Sequence, residues 1–195
     1  MTSRISVFSL CFLWFVTLCA HAEESFVTKE PFRQPAKMPS AIVTLLAQEP
    51  SVANSASCGE SKPAALLETQ VLRLSKTAKA YLVKPAHACL CRDAACPVWL
   101  FQMRGAAAKL IWHTPAAIKV AVLDKKFDGY QKLGETDGDA AAGSETHWSW
   151  DNTRYKQTYK NTWTMDADNK CRLGEETIHL VDGNIVNHTI KCPQE

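Results

Sequence analysis

The chain has 195 residues, with 22 Lys and Arg against 20 Asp and Glu and a formal charge of +2 at pH 7. That near balance excludes the clustered basic face of a nucleic-acid binder, because Lys125-Lys126 is too short a basic run to supply one. The length suits one domain with a real core, and no stretch reaches the ~20 apolar residues that a membrane helix needs.

Residues 1–22 read as a signal peptide. Arg4 supplies the positive n-region, the run from Ile5 to Leu18 the apolar h-region, and Ala20-His21-Ala22 the small-x-small pattern that signal peptidase requires before Glu23. Cleavage after Ala22 predicts a periplasmic or secreted protein of 173 residues. Acylation of Cys19 is the weaker reading, since Leu18 fits poorly before a lipidated cysteine. Loss of Cys11 and Cys19 leaves six cysteines: Cys58, Cys89, Cys91, Cys96, Cys171 and Cys192. An even number in an oxidising compartment reads as a disulfide framework.

Residues 23–37, polar and carrying Pro31 and Pro35, read as an extended arm, and 38–195 as a single disulfide-stapled domain. Ser40 is placed to cap a short helix through Ala47, with Pro50 ending it. Ser51 to Lys62 is a loop carrying Cys58. Strand signals then dominate. Thr69–Leu74 and Lys79–Lys84 predict a hairpin, and Val98–Met103 and Lys109–His113 another across Arg104-Gly105, with Ile118–Leu123 as a further strand. Gly134 to Ser144, built from small residues without apolar anchors, reads as a mobile loop. Glu145–Trp150 and Arg154–Tyr159 flank Asp151-Asn152-Thr153. Ile178–Val181 and Ile185–Ile190 flank Asp182-Gly183, the preferred composition of a type I′ turn. Successive hairpins at short spacing predict a mainly β domain, antiparallel, in one sheet or a sandwich-like arrangement, with a short N-terminal helix.

Six cysteines allow 15 pairings. Cys91 and Cys96 enclose the short polar turn Arg92-Asp93-Ala94-Ala95, and Cys171 and Cys192 flank the last hairpin, which leaves Cys58 for Cys89. The rival for His87, Cys89, Cys91 and Cys96 is a zinc site, which the oxidising compartment and the spacing disfavour. Asp137, Asp139 and Glu135 suggest calcium but lack the further ligands of a binding loop, so they read as a solvated acidic turn. No cofactor or metal is expected.

Trp148, Trp150, Tyr155, Tyr159 and Trp163 form the densest aromatic cluster. Strand alternation puts Trp148 and Trp150 on one face. That face is a stacking platform if exposed and core if buried, the commoner fate of such pairs. The chain contains neither Gly-x-Ser-x-Gly nor His-Glu-x-x-His, and the even cysteine count argues against a catalytic thiolate.

Cys89-Leu90-Cys91 through Cys96-Pro97-Val98-Trp99, followed by Phe127-Asp128-Gly129-Tyr130-Gln131-Lys132-Leu133, resembles small exported bacterial β-rich proteins of unassigned function. The second segment also resembles the Asp-Gly-Tyr segment of FG-GAP-type β repeats, here in one copy and without their alternating aspartates. In general profile the chain is similar to periplasmic inhibitors of cell-wall hydrolases and to immunity proteins. That profile implies a non-enzymatic exported binding protein, an inhibitor or immunity protein acting on a cell-envelope enzyme. Its rigid stapled turn, polar at Arg92 and Asp93, would enter a partner's cleft. The alternative is a carbohydrate- or peptidoglycan-binding module using Trp148, Trp150 and Tyr155. A hydrolase assembled only in three dimensions comes third. The expected partner is a protein of the envelope or a cell-wall glycan.

Overall fold

The computed structural model describes residues 24–53, 58–59, 62–165, 172–181 and 184–191. The expected signal segment, Cys171, Cys192 and the Asp182-Gly183 turn lie outside the described residues.

Val98-Trp99-Leu100-Phe101 has no polar face, and in the structure neither side of its strand meets water. Val98 and Leu100 point into a core shared by two sheets, while Trp99 and Phe101 join a second core beneath the helices. A strand covered on both faces reads as a continuous apolar run rather than an alternating one. Burial of each of these side chains contributes roughly 1.5–3 kcal/mol.

Three layers follow from that strand. The outermost is α1 (Ser40–Leu46) with α2 (Pro50–Ala53) and a 3-10 turn at Pro63–Leu66, which place Ile42, Leu46, Val52 and Leu66 against Trp99 and Phe101. The middle layer is a four-stranded sheet in the order β2 (Leu67–Arg73), β3 (Lys79–Pro85), β4 (Cys96–Arg104) and β5 (Ala107–Ala117). The third layer is β6 (Lys119–Phe127), β7 (Tyr130–Gly138), β8 (Ala142–Trp150), β9 (Tyr155–Met165), β10 (Arg172–Val181) and β11 (Asn184–Lys191), with β1 (Glu24–Val27) added outside β6. All pairings among the described residues are antiparallel. The domain is thus mainly β and sandwich-like. No helix among the described residues is long and apolar enough to cross a membrane.

Sheet width decides the shape that matters for function. Seven strands lie against four, so the larger sheet outruns the smaller one. Among the described residues, the shared core draws from the wide sheet on β6, β7, the end of β8 and the start of β9, and on none of β10 or β11.

Two cystines stand where the spacing places them, Cys58–Cys89 with Cα atoms 5.6 Å apart and Cys91–Cys96 at 4.2 Å.

Elsewhere the structure departs from the sequence reading. Residues 23–37 do not hang free. Glu24–Val27 pairs with β6, and Phe32 is buried in the shared core with its N–H donating to Glu68. Lys84, 1 % exposed, pairs with the same carboxylate and lies 4.7 Å from the centre of the Phe32 ring. Strand pairing, the edge-on contact of Phe26 with Phe32 and the buried Thr28, whose hydroxyl donates to the Ala117 carbonyl oxygen, anchor the segment together. Ser40 is the first residue inside α1 rather than its cap, which is Pro39, and Pro50 opens α2 rather than closing α1, as suits a proline in a first helical turn.

Gly134 to Ser144 is a hairpin and not a mobile loop. Glu135 pairs with Thr146, Asp137 with Ser144 and Gly138 with Gly143. Its glycines are strand residues required by space. A Cβ on Gly143 would come 2.5 Å from Trp163 Cζ2 and 2.7 Å from the Asp137 carbonyl oxygen, and Gly138 adopts φ +89° at the turn. The β6–β7 turn is Asp128-Gly129, both at positive φ (49° and 77°), as type I′ demands.

Candidate functional site

Where the wide sheet passes the edge of the narrow one, a cavity of about 1110 Å³ opens. One wall is β5, contributing Leu110, Ile111 and Trp112. The opposite wall comes from Trp148 and Trp150 at the end of β8 and from Tyr155, Gln157 and Thr158 on β9. His179 and Leu180 of β10 and Val186 and Asn187 of β11 extend it over the overhang. Phe127 and Lys132, from either side of the β6–β7 turn, stand at the near end.

The aromatic rings hold one another in place. Tyr130 stacks on Trp150 with centroids 4.5 Å apart, and Trp150 meets Tyr155 edge-on at 5.5 Å. Trp112 meets Trp148 edge-on at 6.0 Å, across the two sheets. Two of the rings, Tyr155 and Trp148, also have a polar tether, whereas Trp112 Nε1 is buried without a hydrogen-bond partner. Tyr155 donates its hydroxyl to the Gln131 carbonyl oxygen at 2.8 Å, and burial raises its phenol above the ordinary value. Trp148 Nε1 donates to Glu135 Oε2 at 3.0 Å, while Thr114 Oγ1 donates to Oε1 of the same carboxylate at 2.6 Å. Burial raises the Glu135 carboxyl; those two hydrogen bonds oppose the shift. Such rings form a pre-organised wall, which loses little conformational freedom when something docks against it.

The mouth is different in character. Leu110, Phe127 and Val186 are exposed there, Phe127 by 50 % and Val186 by 59 %. Large apolar side chains gathered at a cavity mouth mark an interaction site more often than isolated ones do. The charged side chains in the lining are Lys132, Asp151, Arg154 and Lys156. Asp151 shapes the β8–β9 turn: its Oδ1 accepts from the Thr153 hydroxyl and from the Thr153 and Arg154 N–H groups. The Thr153 hydroxyl and then the Arg154 N–H hold its carboxyl well below the usual range.

Of the residues singled out from sequence, Trp148, Trp150 and Tyr155 converge on this cavity. They do not form the open platform that an exposed strand face would give. Trp150 and Tyr155 are only 5 % and 4 % exposed, because they belong to the shared core and show the cavity their edges. Arg92 and Asp93 are elsewhere. They sit exposed in the Cys91–Cys96 turn, where Arg92 and Ala95 exchange backbone hydrogen bonds at 2.9 Å and Asp93 takes φ 50°. Leu110, Trp112, Phe127, Lys132 and Val186 were not marked as site residues by sequence reasoning. The signal that would have found Phe127 and Lys132 is Asp128-Gly129, the same dipeptide that announces the last hairpin.

Neither candidate metal group has the donors it would need. Cys58, His87 and Cys89 place ligand atoms within 4.8 Å of one another, but the two sulfurs are bonded to each other. His87 Nδ1 accepts the Cys89 N–H at 3.3 Å. Asp139 Oδ1 accepts from the Ala141 and Ala142 N–H groups and Asp137 Oδ1 from that of Gly138, so both acids stabilise the β7–β8 turn. Those turn bonds lower the Asp139 carboxyl.

Compared with protein-family models, curated proteins and solved structures, the chain matches none of them.

Proposed function

We propose that this is a non-enzymatic binding protein, exported to the periplasm or beyond, whose site is the cavity between β5 and the overhanging strands. The observation that carries the reading is the cavity's construction: a wall of mutually packed aromatic rings, with Trp148 and Tyr155 tethered by hydrogen bonds, facing a mouth where Leu110, Phe127 and Val186 are exposed. Its volume of about 1110 Å³ lies just above the range in which most small-molecule clefts fall, roughly 300–1,000 Å³. A cell-wall glycan is the less favoured occupant. Sugar rings need open aromatic faces and nearby hydroxyl partners, whereas Trp112 and Trp150 are 3 % and 5 % exposed and the mouth is apolar.

The test uses N-phenyl-1-naphthylamine, an uncharged fluorescent apolar probe. The protein should bind it at one site per chain, and Leu110→Glu with Val186→Glu, both at exposed positions, should weaken binding at least tenfold without lowering the unfolding midpoint. Unchanged affinity in the double variant would remove the cavity from consideration.

A second reading has its own support. The Cys91–Cys96 turn presents Arg92 and Asp93 to solvent on a covalently closed frame, as an inhibitor or immunity protein of an envelope enzyme would. Inhibition of a cell-wall hydrolase that disappears in an Arg92→Ala, Asp93→Ala variant would favour it.

A further inference from the structure

Apolar contact accounts for the rings and the mouth of the cavity but not for its charges. Three cations, Lys132, Arg154 and Lys156, line it against a single carboxylate, Asp151. That carboxylate is already occupied, with Oδ1 accepting three hydrogen bonds from Thr153 and Arg154 and Oδ2 pairing with Lys156 at 3.1 Å. Lys132 and Arg154 form no ion pair among the described residues. The imidazoles of His113 and His179 add no negative charge to the lining. The cavity therefore joins an apolar aromatic wall to two uncompensated cations on its rim.

We propose that the occupant is a monomeric anionic amphiphile: a long apolar chain ending in a carboxylate or a comparable anion. Its apolar part lies along Trp148 and the exposed Leu110, Phe127 and Val186, and its anion is held beside Lys132 and Arg154. The assignment rests on the reading of the cavity as the binding site and adds the chemical class. Lys132 is half-buried beside the apolar wall, where it attracts an anion more than the same group in open water does, since the attraction rises as the effective dielectric falls, and the exposed Arg154 adds a second positive charge. A neutral chain of the same length would gain the apolar contact alone.

The experiment titrates the protein with tetradecanoate, tetradecanol and tetradecyltrimethylammonium below their aggregation limits, reading tryptophan fluorescence. Tetradecanoate should bind at least tenfold more tightly than tetradecanol, and the cation most weakly. Lys132→Gln with Arg154→Gln should abolish that preference while leaving tetradecanol affinity unchanged, which also shows that the cavity is still folded. Equal affinity of acid and alcohol for the unaltered protein would overturn the anionic class and leave the cavity reading standing. No response to any of the three probes would overturn both. A preference that survives in the double variant would overturn the assignment of Lys132 and Arg154. Sedimentation with anionic vesicles, without response to monomeric tetradecanoate, would overturn the proposal in favour of a membrane surface.

Discussion

Glu135 shows how one buried carboxyl ties the cavity wall to pH. Its oxygens accept from Thr114 on β5 and Trp148 on β8, so it joins the two sheets beside the ring that faces the cavity. Burial outweighs those bonds and raises its pKa above the ordinary value of 4.5. A raised carboxyl stabilises the folded state while it is protonated, fully below the unfolded pKa, and that contribution is lost as pH rises through the folded value. Glu135→Gln keeps an acceptor for Trp148 and cannot titrate; its amide N–H donates to the Thr114 hydroxyl, which then donates to the Ala116 carbonyl oxygen 3.3 Å away. The stability of the unaltered protein relative to this variant should therefore decline from pH 4 to pH 7.5. Urea midpoints at the two pH values check it; a flat or rising difference would mean that Glu135 is better solvated than its place between the sheets implies. Asp139 and Asp151 act in the opposite sense, since their lowered carboxyls favour the fold above pH 3.8 and cease to do so as pH falls through their folded values.

At the scale of the element, the β7–β8 hairpin depends on residues too small to advertise it. Gly143→Val drives a side chain into Trp163 and into the backbone oxygen of Asp137, which cannot step aside. It should cost about 1–3 kcal/mol, the usual penalty of overpacking, whereas Ala140→Val at the exposed turn should change stability by less than about 0.5 kcal/mol. Equal thermal midpoints for the two variants would restore 134–144 as a loop. The hairpin was illegible because hydrophobic periodicity records burial on one face, and most of this hairpin's side chains are only half covered. By contrast β4 was plain, being buried on both faces, and so were the two described cystines, whose spacing restricts their partners. The site was half legible for a related reason. Trp148, Trp150 and Tyr155 are close in sequence and draw the eye, while Trp112 faces them from the other sheet across a separation that no linear pattern encodes.

At the scale of the whole molecule, the two cystines among the described residues both staple the part of the chain that builds the helices and the narrow sheet. The Cys58–Cys89 bridge closes a span of 31 residues between the helical layer and the narrow sheet and contributes ~3–4 kcal/mol. The bridge at Cys91–Cys96 closes a span of 5 and contributes ~2 kcal/mol. Neither bridge includes a residue of the overhang, where β11 pairs with β10 alone among the described residues. Unequal support of this kind produces local unfolding in separate cooperative units. Amide hydrogens of β10 and β11 should exchange with deuterium well before those of β4, at a free energy below that of global unfolding. Because the hairpin forms one wall of the cavity, an occupant that touches it and β5 together also ties those two strands to the rest of the sandwich. A bound occupant should therefore slow deuterium uptake in β9 to β11 without altering it in β4.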